Sequence, residues 1–475
     1  MTDSATSTLI TLTGTGARDL IDPPANLIPG EFQIVTLVGY GLSGNDTVTG
    51  FSGPTDWPAF ASANPDATLT IANHMYGGNG HDTLISSQTL PGLTALQLAS
   101  YSRADTLDGG AGNDTYVIND LGVTINDASG RNTAILTENY PLVSGLTTVT
   151  VHQFNPAYAN DIQNLTLRGS GDFGLEGDPS NNILRGNARH NELFGGGGDD
   201  SLFGGAGDDV LISAAGTSLL DGGAGADFIR GADGNDLLRG GDGNDSLYGD
   251  NGNDTLIGGK GADRLEGQEG DDSYYVNTQG DTVSETFGTG FDTVMSINLN
   301  LSASHYAGVE ALALLGASNL SLSGGNQVVL LAGNVGNNQV RGGAANETLL
   351  GNAGADTLGG GGDGADTMTG GSGADVFTFA TASQPSDDLI NDFAEGEDLI
   401  DLRALGILTY APDGSDPVGQ SSVASFVDTL TLDGFATAVT VVAGDINGDG
   451  TWDFRFYLQG MTALTADDFL LYTPA

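Results

Sequence analysis

Between Gly177 and Tyr275 one apolar residue recurs every nine positions: Leu184, Leu193, Leu202, Leu211, Leu220, Ile229, Leu238, Leu247, Leu256, Leu265 and Tyr274. Each sits in an x-apolar-x triplet, which predicts a short strand with a single inward side chain filling a narrow core. Two positions before the apolar residue the chain carries Asp at 200, 209, 227, 236, 245, 254, 263 and 272, with Asn182, Asn191 and Ser218 in the remaining repeats. The first position is Gly in ten of eleven nonapeptides, Ser213 being the exception. Gly-Gly-x-Gly gives the backbone freedom for a tight turn with positive φ and lets carbonyls converge, which makes the pairs Gly204 and Gly205, Gly222 and Gly223, Gly240 and Gly241, and Gly258 and Gly259 candidate ligating positions. Two nonapeptides make one turn of a coil with a loop on each side. Turns stacked at ~4.8 Å would align the acids in two columns and pair every strand with its neighbours. One column is Asp200, Ser218, Asp236, Asp254 and Asp272; the other is Asn191, Asp209, Asp227, Asp245 and Asp263. Ser218, in a Gly-poor loop, predicts a weak or empty position.

The same pattern recurs elsewhere with less regularity. A second block covers 333–378, with Asn338, Glu347, Asp356, Asp366 and Asp375 at the acidic position and a one-residue slip in the run Gly359 to Gly362. Single copies end at Asp82 and Asp114, and a weaker one contains Asp46. Two flanking segments look duplicated. Asp114-Thr115-Tyr116-Val117 leads on to Gln163-Asn164-Leu165, as Asp272-Ser273-Tyr274-Tyr275-Val276 leads on to Glu310-Ala311-Leu312. Near the start, Thr8 to Thr13 and Phe32 to Leu37 alternate as strands do, and the Pro-containing run 53–64 reads as a long loop. The fold class expected is all-β: a parallel β-roll or β-solenoid of nonapeptides with flanking β modules. The expected divisions are 1–99 (β-rich, role unassigned), 100–176 (flanking module), 177–275 (main roll), 276–332 (second flanking module), 333–378 (second roll) and 379–475 (C-terminal cap).

Charge decides what the roll must bind. The 475 residues hold 61 acids against 13 Lys and Arg, a net charge of −48, with Lys260 the only lysine. So acidic a chain repels itself when compact unless cations neutralise it. Aspartate oxygens are hard ligands that suit Ca²⁺ rather than softer or nitrogen-preferring metals. Multiple Ca²⁺ ions are therefore the expected cofactor, and metal-free chain is expected to be disordered. With no basic patch, nucleic acid is excluded as a partner. No apolar run approaches the ~18 residues of a membrane helix. Met1 to Ala5 show no basic segment followed by an apolar one, so no Sec-type signal is expected at this end.

The nonapeptide resembles the repeats-in-toxin (RTX) calcium-binding repeat, G-G-x-G-x-D-x-U-x with U apolar. That resemblance implies Ca²⁺ between adjacent loops of a parallel β-roll, held by Asp carboxylates and loop carbonyls. Further downstream, Asp375-Val376-Phe377-Thr378-Phe379, Gly396-Glu397-Asp398-Leu399-Ile400 and Leu464 to Leu471 are similar to the end of serralysin-type and other type I secreted proteins. In those families the C-terminus is the uncleaved export signal. The likeness implies type I secretion machinery as a partner and a secreted, extracellular or cell-surface location. Separately, Asp445, Asn447, Asp449 and Asp453 have the D-x-N-x-D-G spacing of a calcium loop, but Phe456 replaces the bidentate Glu of an EF-hand. A bound ion and a plain Asx-rich turn are both open there.

No catalytic constellation is found, and no enzyme is expected. His-Glu-x-x-His, a Gly-x-Ser-x-Gly elbow, a Cys nucleophile and a phosphate loop are all missing. The five histidines, at 74, 81, 152, 190 and 305, lack ligand spacing. The leading expectation is an extracellular structural protein, a surface-layer, filament or matrix subunit that forms a homo-oligomer or polymer on binding calcium, with cell-surface polysaccharide a further candidate partner. The alternatives are a soluble calcium-dependent adhesin and a polysaccharide-modifying enzyme with an unrecognised site near the N-terminus.

Overall fold

The computed structural model describes residues 172–473 apart from 286–287, 363, 382–386, 412–419, 433–434 and 460–462. Before residue 172 it describes 6–13, 20–21, 33–40, 47–49, 69–76, 83–85, 101–103, 106–108, 111, 113–118, 124–126, 132–136 and 162–168. Asp46, Asp82 and the run 53–64 lie outside the described residues. Every regular element described is a strand except two 3-10 turns, Arg403–Leu405 and Ala466–Asp468. The chain divides into two compact units, Met1–Gly243 and Asn244–Ala475.

In the first unit nearly every pairing is one turn to the next and parallel. Thr6–Thr13, Gln33–Tyr40 and Leu69–Tyr76 run side by side in register. A second sheet passes through Thr47–Thr49, Thr83–Ile85, Thr115–Ile118, Asn132–Leu136, Ile162–Leu167, Ile183–Arg185, Ser201–Ala206, Leu219–Ala224 and Leu237–Asp242. Phe173–Glu176, Asn191–Phe194, Val210–Ile212 and Phe228–Asp233 form the facing sheet of the roll. The nine-residue period explains the core directly. Each triplet turns its middle residue inward, so Leu184, Leu202, Leu220 and Leu238 stack on one sheet and Leu193, Leu211 and Ile229 on the other, all wholly buried.

The second unit repeats the scheme and then closes it. Thr255–Lys260, Ser273–Tyr275, Thr293–Ser296, Ala311–Leu314, Leu330–Ala332, Thr348–Leu350 and Thr367–Thr369 pair in parallel, with Leu256, Tyr274, Val294, Leu312, Leu331, Leu349 and Met368 stacked inside. Gln339–Arg341, Thr357–Gly359, Val376–Thr378 and Leu399–Asp401 face them. Near the C-terminus the pattern changes to antiparallel: Ser422–Leu432, Phe435–Asp445 and Phe454–Gln459 form a meander, whose last strand also pairs in parallel with Leu389–Ile390. Phe379 stacks on Phe456 with ring centroids 4.4 Å apart. This meander closes off an edge that would otherwise expose unpaired backbone and apolar side chains.

The second position of each nonapeptide is where the turn demands glycine. Gly205, Gly223 and Gly241 have φ of 112°, 103° and 116°, while Ala232 is held at 74°. A left-handed conformation costs a Cβ-bearing residue about 1–2 kcal/mol. Ala232→Gly should therefore raise the stability of calcium-loaded protein by up to ~1 kcal/mol after the extra unfolded-state freedom of Gly is offset. Gly205→Ala should lower stability by more, because its Cβ would also meet the Asn187 carbonyl oxygen. Denaturant midpoints at saturating calcium measure both; an unchanged or lowered midpoint for Ala232→Gly would show that the turn is not strained there.

Candidate metal centre

The acidic position of each nonapeptide lies at the end of a glycine turn, just before the strand, and its carboxyl points back into the stack. One oxygen is used the same way throughout. The Asn182 amide N–H donates to Asp200 Oδ1 at 2.8 Å, Asn191 to Asp209 at 2.7 Å, Asp209 to Asp227 at 2.7 Å and Ser218 to Asp236 at 2.7 Å. In the second unit, Asp245 donates to Asp263 at 2.9 Å, Asp254 to Asp272 at 2.7 Å, Asn338 to Asp356 at 2.6 Å and Asp356 to Asp375 at 2.8 Å. Every turn is thus tied to the next by a side chain as well as by strand pairing.

The other oxygen has nothing of the kind. Oδ2 of Asp200, Asp209, Asp263, Asp272, Asp356, Asp366, Asp375 and Asp388, and Oε2 of Glu347, are buried without a hydrogen bond. A buried carboxylate oxygen without a donor is costly, and its recurrence in turn after turn is a pattern that calls for a cation. The first glycine of each repeat permits it. A Cβ on Gly195, Gly204 or Gly258 would overlap Oδ2 of Asp200, Asp209 or Asp263 respectively. The second glycine faces a carbonyl of the turn before: Gly223 lies against Gly205 O, and Gly241 against Gly223 O. Gly259 has the same positive φ, 99°, and Gly240 lies within the strand Leu237–Asp242. Among the described residues no three acidic or histidine side chains converge. A cation here must therefore combine single carboxylates with loop carbonyls, an all-oxygen set that suits Ca²⁺.

Burial sets the proton affinity of the ladder. It pushes Asp200, Asp227, Asp236, Asp263 and Asp375 up to about 6, and Asp209 and Asp272 up to about 7, against the lowering effect of the backbone N–H each accepts. Burial also raises Asp356, and it raises Glu347 and Asp366, which lie against each other.

The singly occurring Asp114 also belongs to the ladder: it is buried, and its N–H donates to Asn132 Oδ1 at 2.7 Å. Ser218 takes the carboxylate's place, its hydroxyl accepting from Asp200 N–H at 3.1 Å and lying 3.0 Å from Ser213 Oγ. Several members were not picked out from the sequence. Asp272 donates to Asp292 at 2.8 Å, Asp366 to Asp388 at 2.9 Å and Asp375 to Asp398 at 2.9 Å. Their turns lack Gly-Gly-x-Gly, yet Asp292-Thr293-Val294, Asp388-Leu389-Ile390 and Asp398-Leu399-Ile400 keep the Asp-x-apolar signature that could have found them. Asp445, Asn447, Asp449 and Asp453 share one loop. Asp445 is buried there and accepts N–H bonds from Asn447, Gly448 and Gly450 at 3.0, 2.6 and 2.8 Å, while Asp453 accepts from Ile446 at 2.7 Å.

Residues 72–88, 101–117, 176–211, 214–247, 221–256 and 248–283 match the RTX calcium-binding nonapeptide repeat. Residues 315–471 match the serralysin C-terminal region of the M10 peptidases. No curated protein matches the chain. Among solved structures, the AlgE6R3 subunit of the Azotobacter vinelandii mannuronan C5-epimerase is 28% identical over 33% of this chain and 80% of that one, with a TM-score of 0.22.

The raised ladder carboxyls fix how metal-free protein responds to pH. A carboxyl whose folded pKa lies above its unfolded value of ~4 favours folding below ~4 and withdraws that contribution as pH rises through its folded value. In chelator, circular dichroism should therefore show little β structure at pH 8 and increasing β structure as pH falls through 7 and 6 towards 5. A β signal that declines steadily on acidification would show that the carboxyls do not oppose the metal-free fold.

Proposed function

For a chain that carries RTX calcium-binding nonapeptide repeats and a serralysin-type C-terminal region, we propose the role of a secreted, non-enzymatic structural protein that folds and associates outside the cell when calcium fills its ladder. The observation that carries this reading is the recurrence of buried carboxylate oxygens without donors, at Asp200, Asp209, Asp263, Asp272, Asp356, Asp366, Asp375 and Asp388. Such a stack is self-repelling at low calcium and compact at millimolar calcium, the range in which extracellular calcium modules bind. The chain would leave the cell unfolded through type I secretion machinery and fold on arrival.

One feature favours a second reading, a soluble calcium-dependent binding module. A cleft of about 420 Å³ on the C-terminal meander is lined by Phe426, Trp452, Arg455, Tyr457 and Asp387, among others. Aromatic faces beside an Arg–Asp pair could hold a sugar ring or another small polar ligand.

Two measurements separate these roles. Static light scattering of purified protein should show calcium-dependent growth in mass that chelator reverses, and negative-stain microscopy should show ordered assemblies. Asp263→Ala with Asp272→Ala should shift the calcium midpoint for folding upward several-fold and reduce association. Wild-type protein that stays monomeric from micromolar to millimolar calcium at high concentration would overturn the structural role in favour of the binding module. Export is tested by deleting the segment after Ile390: the truncated chain should stay inside the cell, and its appearance in the medium would place the signal elsewhere.

A further inference from the structure

In the second unit, the sheet from Thr255–Lys260 to Thr367–Thr369 carries only uncharged residues on either side of each inward side chain. The strands from Thr255–Lys260 to Thr367–Thr369 are stacked in exact register. With the middle residue of each triplet inside, the residues on either side form two outward columns. One is Ile257, Tyr275, Met295, Ala313, Ala332, Leu350 and Thr369; the other is Thr255, Ser273, Thr293, Ala311, Leu330, Thr348 and Thr367. None carries a charge, and all but the buried Ala311 are partly exposed. Near the middle, Phe291 and Ile297 extend the strip sideways and are 42% and 59% exposed. The outward positions of the facing strands include Arg264, Glu266, Arg341 and Asp401 instead.

We infer that this strip is the contact between two copies of the chain, packed face to face about a twofold axis parallel to the strands. The inference rests on the self-association proposed above and names the surface responsible. Charge supplies the first argument. Two chains of −48 each repel, and a charge-free face is where they can approach without placing like charges opposite one another. Shape supplies the second. A twofold axis between the Thr293–Ser296 and Ala311–Leu314 strands reverses the order of turns, setting Met295 opposite Ala313, Tyr275 opposite Ala332 and Ile257 opposite Leu350. In the other column Ser273 falls opposite Leu330. Met295, Tyr275 and Leu330 thus each meet a small residue, and Ile257 meets Leu350 as an apolar pair, so the strip is complementary to itself, as an isologous interface requires. The exposed Ile297 falls near the axis, opposite Leu315 of the other copy. Six steps of ~4.8 Å make the strip ~29 Å long. At ~10–15 Å wide it buries roughly 300–450 Å² per copy, below the ~800 Å² of a stable standard interface. One such contact is weak in isolation and suits an assembly held by several.

Disulfide trapping captures a weak contact, and the chain has no cysteine of its own. In Tyr275→Cys with Ala332→Cys, the two positions lie three turns, ~14 Å, apart within one copy. That exceeds the ~7 Å Cα separation a disulfide tolerates, so only two copies can close it. Mild oxidation in calcium should give a covalent dimer from the double variant, little from either single variant, and none in chelator. Ile257→Cys with Leu350→Cys, five turns apart, repeats the test should the first pair not reach the wild-type β signal. A third arm places charge on the face: Ala313→Lys should abolish calcium-dependent association, whereas Ser284→Lys on another sheet should leave it intact. If wild-type protein associates but neither pair cross-links and Ala313→Lys associates normally, this face is overturned while self-association stands. Single variants that cross-link as readily as the double would overturn the twofold arrangement. A wild type that never associates would overturn both.

Discussion

The structure depends on a recurring electrostatic conflict: carboxylates buried at the ends of successive glycine turns, such as Asp200, Asp209, Asp263 and Asp272, with one oxygen held by a backbone N–H of the preceding turn and the other left without a donor. Among the described residues, the ion pairs Arg264–Glu266, Arg403–Asp401 and Arg455–Asp387 join side chains outside the nonapeptide ladder, and the arginines are largely exposed. With 13 basic side chains for 61 acids, neutralisation has to come from solution. Metal binding and folding are therefore one equilibrium. A solenoid turn contacts mainly its neighbours, so each ion acts as a nearest-neighbour link and stability accumulates along the stack.

How far the sequence reveals this depends on how local each signal is. The inward Leu column and the Asp column were legible because both repeat within nine residues and each residue's role is set by its own turn. Asp292, Asp388 and Asp398 were not, because longer turns stretch the eighteen-residue step between equivalent acids to 20, 22 and 23 residues. The strand that follows each acid, with its one inward apolar residue, still fixes its place, so spacing drifts while chemistry persists. Near the N-terminus the alternations at 8–13 and 33–37 fall within the strands Thr6–Thr13 and Gln33–Tyr40. The parallel pairing of these two strands, and of the second with Leu69–Tyr76, was beyond local pattern, since it joins chain separated by some thirty residues. The antiparallel C-terminal meander was likewise hidden behind a general expectation of a cap.

The departures from consensus show what the turn actually requires. Ser218 preserves the turn-to-turn hydrogen bond with a hydroxyl and no charge, which separates the structural half of the Asp role from the metal-binding half. Ala232, Asp250, Gln268 and Asn352 keep the positive φ of the second glycine at the expense of strain. Position-one glycine is different in kind, because the carboxylate oxygen occupies the space a Cβ would need. Consensus glycines thus answer two separate constraints, backbone conformation and close approach, and only the second bears directly on the metal.

The charge-free sheet of the second unit follows from the same repeat, because a triplet with one residue inside must place two outside. In an unfolded chain Ile257, Tyr275, Met295, Ala313, Ala332 and Leu350 are scattered over almost a hundred residues and form no surface. Only when the turns stack in register do they become a continuous strip, and the turns stack when the carboxylates between them are neutralised. In the contact proposed above the ion would act twice without touching the strip, lowering the charge that keeps copies apart and assembling the face on which they meet. A partner site built from one residue per turn is consequently steeper in its calcium dependence than any single ion site, since several adjacent turns must be filled before the surface exists at all.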